Sequence, residues 1–303
     1  MIDLSIVIVS FNSKEVLKQC LSSLMENYPK EFSDRRYEII VVDNASVDGS
    51  AQMIKGEFPH VELIETKENL GFAKGNNLGI NKAQGHLVLF LNPDTIVPPD
   101  TLSTMINYIN SDLSIGVATC KIELSNNRGI DLDCHRGFPT PWASFCYFLG
   151  LEKLFPKSRI FGQYHETWKD LSNIHEIDSA VGAFMLVRRG VGEKINWWDE
   201  DFFFYGEDLD FCFRVREMGF KVMYNPTVKI YHYKGISSGI QKDSVKRSVA
   251  TQESRRKALN ASVDAMKMFY QKHYQGKYPK IIDWLVNFGT GILRVKRLVI
   301  GRR

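Results

Sequence analysis

The chain has 303 residues, 44% hydrophobic and 24% charged, with a formal net charge of +4 at pH 7. Such a length buries a full core, as one large α/β domain or one domain with a C-terminal appendage. The mild positive balance gives weak support for an anionic ligand or surface and none specifically for nucleic acid. The cysteines, Cys20, Cys120, Cys134, Cys146 and Cys212, show no paired metal-ligand spacing, and their odd number points to a reducing compartment without a zinc site. After Met1-Ile2-Asp3 the chain enters a strand with no basic leader, apolar signal core or small-residue cleavage site, and no run of about 18 apolar residues is present to span a bilayer. The expectation is a cytoplasmic protein, with attachment to the inner membrane face left open.

In chain order, Leu4 to Val9 (LSIVIV) predicts a buried strand, broken by Ser10-Phe11-Asn12-Ser13. A helix follows from about Lys14, with Ser13 as its N-cap and Val16, Leu17, Cys20, Leu21 and Leu24 on one face. Glu38 to Val42 is a third apolar run ending in the polar cluster Asp43 to Ser50, where Ser50 or Asp48 caps the next helix. A short strand at Val61 to Ile64 leads through Asn69-Leu70-Gly71-Phe72 into a helix from Ala73 to Lys82. Next comes the run Leu87 to Leu91, which stops at Asn92-Pro93-Asp94. Five apolar residues without alternation read as a strand covered on both faces, and Pro93 cannot continue a ladder. Asp94 then stands at the mouth of a sheet, where open α/β folds bind ligands; an ordinary Asn-Pro-Asp turn fits the same three residues.

Strands alternating with helices at this spacing predict a mostly parallel central sheet flanked by helices. Right-handed crossovers place every strand-to-helix loop at one edge. Ser10/Asn12, Asp43/Asp48, Asn69/Gly71 and Asp94 should therefore converge on one cleft. Gly71 and Gly75 would let backbone approach a diphosphate there, although neither a dinucleotide fingerprint nor a Gly-Lys-Ser/Thr phosphate loop occurs.

The second half is less regular. Leu102 to Ile109 predicts a helix, and Ile115 to Ile122 and Val181 to Val187 predict strands. The aromatic-rich stretch 134–175, with Phe138, Trp142, Phe145, Tyr147, Phe148, Phe161, Tyr164, His165 and Trp168, fits equally a satellite of the core or the wall of an acceptor pocket. Trp197-Trp198-Asp199 precedes Glu207-Asp208, which open a helix to about Met218; this acidic pair suits either a helix cap or a general base. Val222 to Tyr224 and Val228 to Tyr231 read as edge strands ending at His232, a residue able to join Asp94 around a divalent cation or simply to serve the structure. A long helix runs from about Val245 to Tyr274, and the basic, apolar tail from Ile281 to Arg303 suits a membrane interface, its own domain or a second subunit.

Taken together, SIVIVSFNS, EIIVVDNASVDGS, ENLGFAKGNNLGI, LFLNPDT, VGAFMLVRR, WWDEDFFFYGEDLDFCFR and a late His232 resemble, in this order, the family 2 inverting glycosyltransferases. These are nucleotide-diphospho-sugar enzymes of the GT-A fold, and the bacterial rhamnosyltransferase-like branch is the nearest in pattern. The resemblance spans about residues 4 to 240. It implies a glycosyltransferase domain over 1–240, with a nucleotide-sugar half at 1–120 and an acceptor and catalytic half at 121–240, followed by a helical C-terminal extension at 241–303.

By the same resemblance, Asp43 reads the base or ribose, Ser10 and Asn12 line that pocket, and Asp48 lies nearby. Asn69, Gly71, Phe72 and Asn76 cover the nucleotide and diphosphate. Asp94 is the last carboxylate of an Asp-x-Asp metal motif whose first position is here Asn92, leaving Mn2+ or Mg2+ more dependent on Asp94, His232 and the diphosphate. Trp198 and Asp199 contact the acceptor or donor sugar, and Asp208, beside Glu207, is the catalytic base. The implied reaction transfers a sugar, L-rhamnose from dTDP-rhamnose or another hexose from a UDP donor (galactofuranose, glucose or N-acetylhexosamine), to a cell-surface glycan or polyprenyl-diphosphate-linked saccharide. The tail 281–303 would touch the inner membrane face, and a homodimer is compatible with it. Two other classes compete. A nucleotidyltransferase would want a glycine-rich basic loop after the first strand, where this chain has Ser10-Phe11-Asn12-Ser13. A non-catalytic sugar-nucleotide-binding protein would have no need to keep Asp43, Asp94, Asp208 and His232 together.

Overall fold

The computed structural model describes residues 2–125, 129–233 and 252–300. Its first half is built from β1 (Leu4–Ser10), α1 (Lys14–Asn27), α2 (Pro29–Ser33), β2 (Tyr37–Asp43), α3 (Ser50–Glu57), β3 (Glu62–Glu65), α4 (Phe72–Ile80) and β4 (Leu87–Leu91). β1, β2 and β4 are almost wholly buried, as apolar strands without alternation must be when helices cover both faces of the sheet. β1 lies between β2 and β4, and β3 flanks β2, all in parallel. Helix α4 packs closely on β1 because it carries glycines: a Cβ at Gly79 would stand 2.4 Å from Val7 Cγ1, and one at Gly75 would stand 2.9 Å from Val9 Cγ1.

The second half comprises β5 (Thr95–Ile96), α5 (Thr101–Ser111), β6 (Ile115–Leu124), α6 (Pro141–Phe148), α7 (Leu151–Leu154), β7 (His175–Ile177), β8 (Phe184–Arg188), α8 (Arg189–Lys194), α9 (Glu207–Glu217), β9 (Lys221–His232), α10 (Gln252–His273) and α11 (Lys280–Ile300). The strand order is β3-β2-β1-β4-β8-β6-β9-β5, with β7 pairing the other end of β9. The mostly parallel sheet expected from the strand-helix alternation is present in β1 to β4 and in the long pairing of β6 with β9, and three antiparallel strands join it. β8 inserts antiparallel between β4 and β6, and β5 and β7 are antiparallel to β9, so parallel pairing is confined to the first half and to β6 with β9. β8 is reached by the long excursion through α6 and α7 rather than by a single crossover helix, which frees it to enter from the opposite direction. The sheet is mixed, and the α/β class stands.

The two expected edge strands before His232 are one continuous strand, β9, paired along its length to β6. A register shift between Cys120 and Lys121 accommodates Pro226, which cannot donate to a ladder, and Asn225 Oδ1 accepts from Thr227 N and Oγ1 across that bulge. The long C-terminal helix is described from Gln252; the expected start at Val245 and the basic residues Arg247, Arg302 and Arg303 lie outside the described residues. Phe269 and Tyr270 of α10, with Tyr274 just after it, pack against Phe202, Leu209 and Phe213 in a second apolar cluster beside the main core. The aromatic stretch is neither buried satellite nor closed pocket in full: Trp142, Phe145, Tyr147 and Phe148 of α6 are exposed.

Candidate active site

Ser10 and Asp43 end β1 and β2 as register partners, so the loops after both strands start side by side. They are laced together. Asn12, at φ 48°, donates its backbone N–H to Ser46 Oγ and accepts from Val47 N at 2.8 Å. Ser10 and Ser13 hydroxyls meet at 2.8 Å, and Ser13 caps nothing with its side chain. Asp48 does that work from across the gap: Oδ2 accepts from Lys14 N at the start of α1, and Oδ1 accepts from Ser50 N and Oγ at the start of α3. Burial opposes its charge, yet these donors hold the carboxyl below its usual value. Asp48 therefore clamps two helix starts beside the expected nucleotide pocket.

Asp43 differs. Its Oδ2 accepts from Ser46 N at 3.1 Å, while Oδ1 is buried and meets no donor among the described residues. A buried carboxylate oxygen without a donor is costly unless a ligand supplies one.

Asn44, absent from the expectations, fastens the next loop: Nδ2 donates to Gly71 O and Oδ1 accepts from Leu70 N. Asn69 Oδ1 accepts from Gly71 N. Gly71, at φ 83°, brings the chain against the second half, where Phe72 N donates to Phe203 O at 2.9 Å. A Cβ there would stand 2.4 Å from that carbonyl, so only glycine fits. Phe72 packs edge-on to Trp198. Gly75 faces Val9, and the missing side chain lets α4 lie close on β1. Asn76 is buried and spends its amide on Phe72 O; the neighbouring Asn77 is the one that crosses to the second half, bonding Trp198 N and O and Glu200.

Trp198, expected at the sugar, is placed with its side chain in the core. Its ring is 2% exposed and wedged against Phe90 and Phe211, each at 4.7 Å between centroids. Asp199 accepts from Lys272 of α10 and from Asp201 N. Asp199 thereby ties α10 to this segment, while Trp198 packs into the core.

Asp94 and His232 meet because β5 pairs antiparallel with the end of β9, placing Thr95 opposite His232. Asp94 O accepts from Tyr233 N, and Asp94 Oδ1 lies 3.2 Å from His232 Nε2, with both side chains buried. Asn92 Nδ2 is 3.5 Å from the same ring nitrogen. Asp131 Oδ2 lies 3.5 Å from His232 Nδ1 on the other side of the ring. Burial opposes charge on His232, but Asp94 and then Asp131 offset it and push the ring up to about 9.

This set fits a hard divalent cation. Two donor atoms in adjacent octahedral positions, each about 2.1 Å from one ion, stand about 3 Å apart, and Mg2+ and Mn2+ are commonly held by few protein ligands plus substrate phosphates. No cluster of three or more His, Cys, Asp and Glu arranged for a metal occurs among the described residues, so the protein would supply Asp94 and His232 with the Asn92 amide alongside.

The acidic pair opens α9 after Gly206, which sits at φ 82°. Asp208 Oδ2 pairs with the buried guanidinium of Arg136 at 2.5 Å, and Oδ1 accepts from Leu209 N. Arg136 is held beneath the helix by reciprocal backbone bonds with Ser179. Burial opposes its charge, and Asp208 reverses that to hold the guanidinium firmly protonated. Glu207 has no such cation: burial, reinforced by Asp208, pushes it up to about 8, and Oε2 has no donor among the described residues. Adjacent buried carboxylates cannot both ionise cheaply, and of the two it is Asp208 that lies against the Arg136 guanidinium. Neither Arg136 nor Asp131 belongs to a recognisable motif; the crowding of ionisable groups in Asp131-Leu132-Asp133-Cys134-His135-Arg136 was the available signal.

The Glu207 environment carries a pH signature. The unfolded residue ionises near 4.5 and the folded one near 8, so the unfolded state releases its proton first and stability falls as pH rises between these values. Glu207→Gln removes that cost. Thermal denaturation should show the variant more stable than the parent by on the order of 2–4 kcal/mol at pH 8 and nearly equal at pH 5; matching midpoints at both would show that Glu207 ionises freely.

The pieces share one edge of the sheet. Ser10 and Asp43 end β1 and β2, Asn92 N donates to Ala183 O just before β8, and Ser179 Oγ donates to Asp208 O. A mixed α/β sheet with Asp43 ending β2, Asp94 after β4 paired with His232 at the end of β9, and an acidic start to α9 has the architecture of the GT-A glycosyltransferases. Residues 5–162 match the family model described as Glycosyl transferase family 2, and the chain belongs to that family.

Among similar proteins are the low-salt glycan biosynthesis hexosyltransferase Agl10 of Haloferax volcanii, 29% identical over 71% of this chain, and the rhamnosyltransferase WbbL of Escherichia coli, 28% identical over 75% of it. The chain spans 62% of the length of the first and 82% of the second. An N-acetylglucosaminyl-diphospho-decaprenol L-rhamnosyltransferase of Mycobacterium tuberculosis is 23% identical over 78% of each chain. The mannosyltransferase PcManGT from Pyrobaculum calidifontis, solved with GDP-Man and Mn2+, shares the fold with a TM-score of 0.56 at 16% identity, covering 96% of this chain and 71% of its own.

Proposed function

We propose that the chain transfers L-rhamnose from dTDP-rhamnose, with inversion, to a hydroxyl of a polyprenyl-diphosphate-linked saccharide, with 1–120 holding the donor and 121–240 the acceptor. The observation that carries this reading is the gathering of Asp43, the Asp94–His232 pair and the Arg136-paired Asp208 on one sheet edge. Rhamnose and the lipid-linked acceptor are supported by the names of the Escherichia coli and Mycobacterium tuberculosis relatives; UDP-galactofuranose, UDP-glucose and UDP-N-acetylhexosamine are the donors to exclude.

In this reading Asp43 accepts from the base or ribose through its unpartnered Oδ1, with Ser10, Asn12 and Asn69 shaping the pocket and Gly71 and Phe72 closing it against Phe203. Asp208 takes the proton from the acceptor hydroxyl as that oxygen bonds to the anomeric carbon and the bond to the nucleoside diphosphate breaks. Arg136 keeps the carboxylate aimed until then. A divalent cation held by Asp94 and His232 would neutralise charge on the departing diphosphate. The test is a thermal-shift screen of dTDP, UDP and GDP sugars with and without Mn2+: dTDP-rhamnose should give the largest stabilisation and need the metal for it. A larger shift with a UDP sugar would reassign the donor, and shifts unchanged by Mn2+ would remove the cation.

The acceptor's lipid implies work at the cytoplasmic face of a membrane. No described helix is long and apolar enough to cross one. α11 instead exposes Ile281, Trp284, Leu285, Phe288 and Ile292 along one face, while Ile282 and Val286 pack toward α10. An apolar stripe with tryptophan, continued by basic residues, suits a lipid interface. The chain should sediment with vesicles containing anionic phospholipid, and Trp284→Ser with Phe288→Ser should remain in the supernatant. Retention of both forms in solution, with a dimer lost on these substitutions, would assign the stripe to a second copy.

A further inference from the structure

Asp131 stands apart from every motif, yet it is 3% exposed and lies against the ring of His232. Its two oxygens have separate surroundings. Oδ1 accepts from Asp133 N and caps the short 3-10 turn Leu132–Cys134, while Oδ2 faces His232 Nδ1 at 3.5 Å. On the opposite side of the imidazole, Nε2 faces Asp94. The ring is thus lined up between two carboxylates, one on the cleft side and one behind it. The backbone fixes the rear carboxylate independently of the ring: Asp131 N donates to Ile122 O of β6, and Cys134 N donates to Asp131 O. β6 is itself the parallel partner of β9, with Leu124 in register with His232.

We propose that Asp131 is a positioning residue for the cation site, accepting from His232 Nδ1–H so that Nε2 is the nitrogen that faces the cleft beside Asp94. The proposal rests on the reading of Asp94 and His232 as cation ligands. Its physical basis is that an imidazole can present a lone pair at one nitrogen only if the other carries the proton, and a buried carboxylate behind the ring makes that choice and fixes the ring plane. The need is greater here because the third group at the site is the Asn92 amide, so an ill-aimed His232 would leave Asp94 with only that weak neutral donor beside it. The same turn carries Arg136 to Asp208. Residues 131–136 thereby set both the leaving-group side and the base side of the cleft.

The experiment is Mn2+ binding to the full chain, without donor and again with dTDP, read from the electron paramagnetic resonance of free Mn2+. The variants are Asp131→Asn, Asp131→Glu, His232→Gln, Asp94→Ala and the Asp131→Asn/His232→Gln double. Asn retains the ability to cap the turn, so the fold should survive, and circular dichroism checks it. Asp131→Asn should weaken Mn2+ about 10- to 100-fold, Asp131→Glu should recover part of that loss, and the double variant should bind no worse than His232→Gln alone. Wild-type affinity in Asp131→Asn, with loss in His232→Gln and Asp94→Ala, overturns the role of Asp131 and leaves the cation site standing. Full additivity in the double variant also overturns it. Unchanged affinity in His232→Gln and Asp94→Ala removes the cation site, and the role of Asp131 with it.

Discussion

Asp208→Asn should lower the rate of sugar transfer by about 10²- to 10⁴-fold, the usual contribution of a positioned general base, while leaving donor affinity within a few-fold of the parent. Asparagine keeps the shape and can still accept from Leu209 N, but it cannot take a proton. The substitution also removes the counter-charge of Arg136, a guanidinium enclosed at the same spot. Breaking a buried pair in this way costs about 3–5 kcal/mol. Rates are therefore to be compared at a temperature where circular dichroism shows both proteins folded, with donor binding measured on the same samples. A folded Asp208→Asn enzyme that transfers at a near-normal rate to a lipid-linked acceptor removes Asp208 as base. In the parent, burial and then the neighbouring Asp208 push Glu207 up to about 8, which leaves it poorly suited to act as the base at neutral pH.

Trp198→Ala should cost about 3–5 kcal/mol of stability, the range for emptying a fully packed aromatic site. Trp198 touches Phe72 from the first half and Phe90 and Phe211 from the sheet and α9, so the cavity would open where the two halves are joined. Denaturant unfolding measures this, and Trp198→Phe should lose less. A wild-type midpoint combined with weakened donor or acceptor binding would return Trp198 to the sugar. Neighbouring contacts argue against that outcome: Asn77 holds the Trp198 backbone at both N and O, and Lys272 holds Asp199, so this segment is tied on both sides by structural bonds.

Motif positions were a better guide to where the cleft lies than to which side chains open into it. Asp43, Asp94, Asp208 and His232 were each legible, because a lone acidic or imidazole group at the end of an apolar run has few structural reasons to be there. Asp48, Asn76 and Trp198 sit within the same motifs and supply a double helix clamp, a bond back to Phe72 and a core wedge. A strand end places a residue at the sheet edge, but the rotation of its side chain is decided by the neighbouring loop. Asn44 and Arg136 went unseen for the complementary reason: each acts through partners far along the chain, Gly71 and Asp208 respectively.

By itself the sequence determined the parallel half of the fold. Unbroken apolar runs at β1, β2 and β4 can be satisfied only inside a covered sheet, and the polar residues that stop them must then share an edge. It also carried the family, since an ordered set of strand ends is a local property of the chain. The tertiary structure alone decided the mixed character of the sheet, the continuity of β9 and the partners of the charged groups. Pairing between strands far apart in sequence is set by packing and by the direction of chain return, neither of which leaves a local period. The reach of β9 along β6 to pair with β5 is what brings His232 to Asp94, and it adds Asp131, whose position in the sequence gave no sign of either.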